Sequence, residues 1–541
     1  MSGYRRHSAP QAMLFGYDPV RDLPGDHLAR LVEAVVEEAV KPAPKGVKGG
    51  QPAYDPRLCL KVLLYGYCTG VRSSRRLEQN CRESLPYLFL TRGDTPSYRT
   101  LCYTRVNDHE ELAQAWEGLF AIAAEVGLQR VGKVVIDSTK LRADVSSESV
   151  VSRIEFDAVR AELERCLAEA VAADAAEEEA PVASQTGKKV APDQVRDVLR
   201  RVRQQRRQAG RPPVETEAAT AAAAHSSPVP ASDAPALPLE DVPPPVVRPE
   251  APLDPQKVPK PLRHLALALL AVQAASAADA SHVSLTDAEA RMMHGGVERR
   301  TQPCYSWEVA VDSGLLVACE TTQEGNDNDR LEPMVTAVRA HEPNGLNSVT
   351  ADSGYFSGDA VGKLAREGLD LCVPDCNTAG DLHRGQPVGT IRAKSQGKIA
   401  FEYDAEANVF RCPEGNTLRP DQKRRQCGQE VQIYRAEREC TGCPLASECL
   451  VRPNVRRRRL QHGEYEAELA AARERFRERE HQTRYRARGP AVETVFGFLR
   501  AGLGFRRWSL RGKERVAAEG EFFALAYQCR KINTRLQRKG G

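Results

Sequence analysis

The 541-residue chain has no run of about 18 consecutive apolar residues, the length a bilayer-spanning helix needs. Its start, Met1-Ser2-Gly3-Tyr4-Arg5-Arg6, lacks the apolar stretch of a secretory signal. The expectation is a soluble, cytoplasmic protein with no membrane association. Only 41% of residues are hydrophobic and 28% are charged, so much of the length must be surface, linker or insertion, and 541 residues are too many for one ordinary core. About two to four structural units are expected. The 15 cysteines are an odd count, which no closed disulfide framework uses completely. Cys59, Cys68, Cys166 and Cys529 sit in apolar periodic segments and read as buried reduced thiols. A net charge of +4 hides local asymmetry: arginines crowd between Arg452 and Arg515, and Glu177-Glu178-Glu179 forms an acidic run. A polyanionic partner for the C-terminal part follows.

What is present begins with helices. Leu28, Leu31, Val32, Val35 and Val36 make an apolar stripe at helical spacing. Asp55-Pro56 offers an N-cap and a first-turn proline to a helix running through Leu58 to Tyr67. A short basic helix surrounds Ser74-Arg75-Arg76-Leu77. Thr95-Pro96 opens another over Ser97 to Val106, with Arg99 and Arg105 expected exposed and Leu101 and Val106 buried. Ala113 to Val126 completes the set. Short helices with basic faces suit a helix-turn-helix-like DNA reader, and equally an ordinary bundle with solvated arginines.

Val134-Val135-Ile136 reads as a buried strand with Asp137 at its carboxyl end, where ligands bind in open α/β sheets. The pattern recurs in Ser348-Val349-Thr350-Ala351-Asp352. Between the two, Trp307, Val309 and Val311 alternate, Asp312-Ser313-Gly314 turns, and Leu315 to Cys319 runs back as a hairpin. A helix over Asp359 to Glu367, closed by Gly368, and a strand over Leu369 to Val373 follow. Two Asp-tipped strands suggest a paired-carboxylate metal site. The order strand, hairpin, strand, helix, strand resembles the core of a ribonuclease-H-like nuclease.

After Asp137 the chain leaves this sheet. Val150 to Ala173, Val190 to Gln208 and Leu262 to Ala277 have helical patterns. Residues 211–258, rich in Pro, Ala, Ser and Glu and without aromatics, are expected to be a disordered linker. Further on, Ile399 to Tyr403 reads as a strand. Cys412, the knuckle Cys440-Thr441-Gly442-Cys443, and Cys449 make a four-thiol set suited to a tetrahedral structural Zn²⁺. Cys427 is an alternative ligand, and a set of unrelated reduced thiols is the other reading. Arg456 to Arg459 is a run of arginines, and Glu464 to about Tyr485 reads as a helix of paired Glu and Arg. In Tyr485-Arg486-Ala487-Arg488-Gly489-Pro490-Ala491-Val492-Glu493-Thr494-Val495-Phe496-Gly497-Phe498-Leu499-Arg500, Pro490 suits a first helical turn. Val492, Val495, Phe496 and Leu499 form a buried face with Glu493 beside it.

Together these stretches resemble a DDE transposase of a bacterial insertion sequence, in the group with a Tyr-x2-Arg-x3-Glu-x6-Lys signature around its catalytic glutamate. Gly504-Phe505-Arg506-Arg507, Arg511-Gly512 and the last helix with Ala526-Tyr527 add to the likeness. The resemblance implies that Asp137, Asp352 and Glu493 are the catalytic carboxylates and hold two Mg²⁺ ions, Mn²⁺ being an alternative. Tyr485 and Arg488 match the signature, and Arg500 stands where it has lysine. Two departures are visible: four residues separate Arg488 from Glu493, and a bidentate guanidinium replaces a compact ammonium at 500. Two cations about 4 Å apart suit in-line phosphoryl transfer: nicking at the element's ends, then strand transfer into target DNA. The implied partner is double-stranded DNA, both terminal repeats and target. Tyr485, Arg488, Arg500, Arg506, Arg507, Arg99 and Arg105 would contact it, as a homodimer on DNA associated with the nucleoid.

The expected architecture is α/β. A helical N-terminal DNA-binding domain (1–130) precedes a ribonuclease-H-like core in two parts (131–149 and 284–394), split by a helical and disordered insertion (150–283). A Cys-rich, zinc-ribbon-like insertion (395–455) and a basic helix with C-terminal catalytic helices (456–541) follow. Two other functions stay open: a metal nuclease on the same fold that cuts without joining, and a domesticated DNA-binding protein without catalysis.

Overall fold

The computed structural model describes residues 18–41, 53–107, 109–179, 195–208, 255, 258, 262–295, 300–342, 345–390, 401–426, 429–450 and 454–540. Nearly all of the linker expected at 211–258 lies outside them, as do Ile399, Cys427 and Arg452. The chain divides into two compact units, Met1–Leu141 with Tyr305–Gly541, and Arg142–Cys304. Among the described residues no helix is long and apolar enough to cross a membrane.

In the first unit the helices Leu28–Ala39, Pro56–Cys68, Ser74–Glu83, Leu85–Thr91, Tyr98–Asn107 and His109–Glu125 precede the sheet. The Asp55 carboxylate accepts from Arg57 N–H, with Pro56 at the first helical position, the cap these residue types favour. That helix is buried on nearly every side, because the C-terminal helix Lys513–Gly540 packs on it. Tyr67 stacks on Phe522 at 5.0 Å and meets Phe523 edge-on. The N-terminal helices therefore share a core with the end of the chain. Arg105, expected exposed, is only 5% exposed. Its guanidinium donates to the Arg72 carbonyl at 2.7 Å and Ser74 Oγ at 3.0 Å, because its helix packs against Pro56–Cys68 and Ser74–Glu83. Arg99 is left on the outside.

β1 (Lys133–Arg142) opens the sheet. The second unit then contributes β2 (Val150–Ser152), β3 (His282–Ser284) and β4 (Arg291–Gly295), before β5 (Arg300–Asp312), β6 (Leu315–Thr322), β7 (Ser348–Thr350) and β8 (Asp370–Cys372). The strands of the first unit lie in the order β6-β5-β1-β7-β8. β5 and β6 form the expected hairpin, with Ser313 and Gly314 at φ 52° and 78°, the two positive values of a type I′ turn. β1 pairs with β7, and β7 with β8, in parallel. Tyr305 to Asp312 is buried on both faces, so the polar Ser306, Glu308 and Asp312 are interior as well as the apolar set. Asp137 lies in the middle of β1, not at its end. The ladder to β7 nonetheless stops at Val135↔Thr350, since β7 is only 3 residues long, and one side of β1 is open from there onward.

β9 (Glu402–Asp404), β10 (Val409–Arg411), β11 (Thr417–Gln426), β12 (Gln429–Ala436) and β13 (Arg459–Gly463) form a separate 5-stranded antiparallel sheet. Its core is small: Phe410, Leu418, Tyr434, Ala436 and Cys440. Two helices follow, Glu466–Arg475 and Arg479–Gly502, where one was expected from Glu464 to Tyr485. The break falls where Phe476 turns inward, 1% exposed, against the His481 ring at 4.6 Å. Pro490, expected to begin a helix, lies inside Arg479–Gly502. The missing N–H forfeits one bond, to the Arg486 carbonyl, and the helix runs on through it.

The second unit has its own core. Phe156–Glu179, Val195–Gln208 and Arg263–Ala277 bury Val159, Leu163, Val198, Leu199, Leu265 and Leu269 among them. β2 pairs antiparallel with β3, and β4 with the first residues of β5. Val150 to Ser152, expected helical, is a strand. The helix begins only after Ser152 and Glu155 form a capping box.

Candidate active site

Asp137 and Asp352 each stand two residues past the last paired couple, Val135↔Thr350, so the parallel register sets them level on adjacent strands. Asp352 Oδ1 accepts from Gly354 N–H at 2.8 Å and caps the turn Ser353–Tyr355. Asp137 Oδ1 accepts from Ser138 N–H at 2.8 Å, and its Oδ2 from Arg488 Nη1 at 2.6 Å. Burial pushes the Asp137 carboxyl up to about 6; Arg488 pulls against this and the nearby Asp352 adds to it.

Side chains on a strand alternate between faces, so Asp137 and Thr139 share one face of β1. Both meet the Arg479–Gly502 helix, Asp137 through Arg488 and Thr139 through Arg500 Nη2 at 2.7 Å. Arg484 anchors the same helix to the neighbouring strands. It donates to Thr350 Oγ1 at 3.0 Å and the Val349 carbonyl at 3.2 Å, and pairs with Asp370. Tyr485 lies edge-on to Phe476, with the Arg488 guanidinium 5.9 Å from its ring centre. Glu493 comes between Arg488 and Arg500 in the chain; its carboxylate is exposed and bonded to neither aspartate. Asp137, Asp352, Tyr485, Arg488 and Arg500 thus gather at one strand end, with Glu493 on the adjoining helix surface. Among the described residues, no group of three or more His, Cys, Asp or Glu side chains stands in a shape that could hold a metal ion.

Two acidic residues at this site went unread in the sequence. Ser138 and Lys140 point to the other face of β1 and pin the loop that follows β6. Ser138 Oγ donates to Asp327 Oδ2 at 3.0 Å, and Lys140 Nζ to the Gly325 carbonyl at 2.5 Å. A methyl group built on Gly354 would lie 3.0 Å from Asp352 Oδ1 and 3.6 Å from Asp327 Oδ2, so both carboxylates face the same small opening. Burial raises the Asp327 pKa; its Ser138 bond opposes this and Asp352 reinforces it. Behind it Glu308, with no exposed surface, accepts from Arg330 at 2.9 Å and is pushed up to about 7 by burial against that arginine's pull. The only sequence signal for Asp327 was Gly325-Asn326-Asp327-Asn328-Asp329, which reads as an ordinary turn. Hard carboxylate oxygens, the opening kept by Gly354 and the buried, unbonded Asp327 Oδ1 suit a divalent cation.

Away from this centre, Cys412, Cys440, Cys443 and Cys449 all line one cavity of about 370 Å³. All four are free thiols. Cys412 Sγ accepts from Glu414 N–H at 3.3 Å and Cys440 Sγ from Arg458 N–H at 3.5 Å. Burial raises the Cys449 pKa; Arg458 opposes it and the other three thiols add to it. This soft donor set suits Zn²⁺. Arg99, Arg506 and Arg507 are exposed, and the Arg507 carbonyl accepts from Arg72 at 3.2 Å.

Comparison with known families adds two findings. Residues 411–533 match a family described as a transposase DDE domain, a span that includes the four thiols and Glu493. Residues 18–107 match one described as a transposase domain (DUF772), which covers most of the N-terminal helices. No curated protein and no solved structure matches the chain. These two matches, one towards each end, indicate an insertion-sequence DDE transposase family.

Proposed function

We propose that this protein cuts the ends of an insertion sequence and joins them to target DNA, using Asp137, Asp352 and Glu493 on a ribonuclease-H-like core. One observation carries the proposal: Asp137 and Asp352 are level in register, and Arg488 and Arg500 hold the Glu493 helix on the same face of β1. The strand order β6-β5-β1-β7-β8, with an antiparallel hairpin and parallel β1, β7 and β8, supports that core. Asp137 and Asp352 would hold divalent cations, Mg²⁺ or Mn²⁺, with Glu493 as the further donor. Bound cations would supply Lewis-acid stabilisation of the phosphoryl centre.

The chain's own side chains do the remaining work. Arg488 places a guanidinium beside Asp137, where it can bind a phosphate oxygen next to the scissile bond. Arg500, half-buried and held on Thr139, offers a second fork two residues along the same strand face. Tyr485 orients Arg488 and screens the carboxylates from one side. Arg99, Arg506 and Arg507 lie exposed for contacts to the DNA backbone. Cys412, Cys440, Cys443 and Cys449 would hold Zn²⁺ and staple a sheet too small to be stable alone. Pairing two element ends implies a homodimer on DNA.

The test is a labelled duplex carrying the flanking element's end, incubated with Mg²⁺ and wild type, Asp137→Asn, Asp352→Asn or Glu493→Gln. Cleaved and joined products from wild type alone are expected. Cleavage without joining would indicate a metal nuclease, and an active Asp352→Asn protein would overturn the assignment. DNA binding without cleavage by wild type would indicate a non-catalytic descendant.

A further inference from the structure

We propose that Asp327 is a fourth carboxylate of the cation site, sharing a divalent ion with Asp352 from the face of β1 opposite the Glu493 helix. The inference rests on the catalytic reading above and adds a residue to it. Asp327 is fixed by the strand that carries Asp137: Ser138 Oγ holds its Oδ2 at 3.0 Å, and Lys140 holds the loop backbone at Gly325. Its other oxygen, Oδ1, is buried without a hydrogen-bond partner. The space in front of both carboxylates exists because residue 354 is glycine; a side-chain carbon there would meet Asp352 at 3.0 Å and Asp327 at 3.6 Å.

An independent observation points to the same place. Tyr355, with 0% of its surface exposed, has a hydroxyl bonded to nothing, yet it feels the charges of Glu308, Asp327, Asp137 and Asp352. A buried phenol among acceptors that it does not touch leaves a polar gap for a ligand. Glu308 Oε2 is likewise buried and unbonded. The charges around the gap are unbalanced. Arg330 serves Glu308 and Glu320, Arg488 serves Asp137, and Lys140 is committed to a carbonyl, so among the described residues neither Asp327 nor Asp352 forms an ion pair, and Lys140 and Arg330 act on Asp327 only at a distance. Partly buried carboxylates in that state, one with a buried and unbonded oxygen, are costly unless a cation joins them.

The full-length protein, stripped of metal, would be titrated with Mn²⁺ and followed by electron paramagnetic resonance. The midpoint of thermal unfolding would be recorded with and without Mn²⁺. Asp327→Asn keeps the side-chain shape and an acceptor for Ser138. Its Mn²⁺ affinity should fall roughly 10- to 100-fold and its Mn²⁺-induced rise in Tm should shrink. A purely structural Asp327 would behave otherwise: the variant's metal-free Tm would drop while the Mn²⁺ affinity and Tm rise stayed at wild-type values. That result, with Asp352→Asn impaired, would overturn the Asp327 proposal and leave the catalytic reading intact. Wild-type Mn²⁺ binding by both Asp137→Asn and Asp352→Asn would overturn the catalytic reading and this proposal with it.

Discussion

Replacing Asp137 with asparagine should make the metal-free protein more stable at neutral pH, although on the proposed reading it removes a catalytic carboxylate. The carboxyl's ordinary value of 3.8 is pushed up to about 6 by burial, despite the Arg488 ion pair. Each unit corresponds to about 1.4 kcal/mol, so ionised Asp137 destabilises the folded first unit by about 3 kcal/mol. The side chain is 22% exposed, buried enough for most of that to survive solvent screening. The sign follows from proton counting. Below about pH 4 the carboxyl is protonated in folded and unfolded chains alike and contributes nothing. Between about 4 and 6 the folded chain keeps a proton that the unfolded chain has lost, so stability falls as pH rises. Above about 6 the full penalty is present.

In EDTA-containing buffer, Asp137→Asn should therefore gain about 2–3 kcal/mol at pH 7.5 and nothing at pH 4. For a unit of this size the rise in Tm should be on the order of 5 °C. Adding Mn²⁺ should close or reverse the gap, because wild type gains more binding energy from the ion than a variant lacking one of its carboxylates. A variant that melts at or below wild type at pH 7.5, or whose advantage persists at pH 4, would refute the reasoning.

Two further outcomes are expected. Purified protein should carry about one Zn²⁺ per chain by elemental analysis. Cys440→Ser should lose it and expose β9–β13 to protease; zinc-free wild-type protein with a protease-resistant sheet would count against the metal. The two arginines of the Tyr98–Asn107 helix should separate cleanly. Arg105→Ala should lower stability by about 1–3 kcal/mol, since it strips buried bonds from Arg72 and Ser74. Arg99→Ala should leave Tm unchanged and reduce the salt dependence of DNA binding by about one unit of slope. The opposite pattern would place Arg105 at the DNA.

Much of the first unit was legible because its signals are local. Asp55-Pro56 is a self-contained cap, Ser313-Gly314 a self-contained turn, and Val134-Val135-Ile136 and Ser348-Val349-Thr350 are apolar enough to name strands. The level placement of Asp137 and Asp352 needed the β1–β7 register, which no local pattern contains. Arg105 was misjudged because helical spacing marks it as polar, while its burial depends on two helices packed around it. Asp327 was missed for a similar reason. A loop of Asn and Asp reads as a solvated turn until Ser138 and Lys140, 189 and 185 positions away in the chain, are seen to hold it over β1. The break at Phe476 was likewise decided by what packs on that residue, against its local preference.

The extra residue between Arg488 and Glu493 has a geometric consequence. At the group's spacing, arginine and glutamate are four positions apart, about 40° around a helix, and both face the same partner. Here they are five apart, and the added residue turns Glu493 by about a further 100°. Arg488 then takes Asp137, while Glu493 falls in line with Arg500, seven positions on and nearly two full turns away. Its carboxylate reaches the surface beside the strand end that Arg500 touches. On the proposed reading Glu493 must swing towards Asp137 and Asp352 when cations and DNA arrive. The helix is weakest where that twist is needed: Gly489 and Pro490 stand between the two side chains, and Pro490 cannot make the backbone bond to Arg486. Arg488 meanwhile occupies Asp137 Oδ2, so an arriving cation must displace a guanidinium before that oxygen is free. On that reading, release of Arg488 towards a DNA phosphate would vacate the side of Asp137 that Glu493 has to reach.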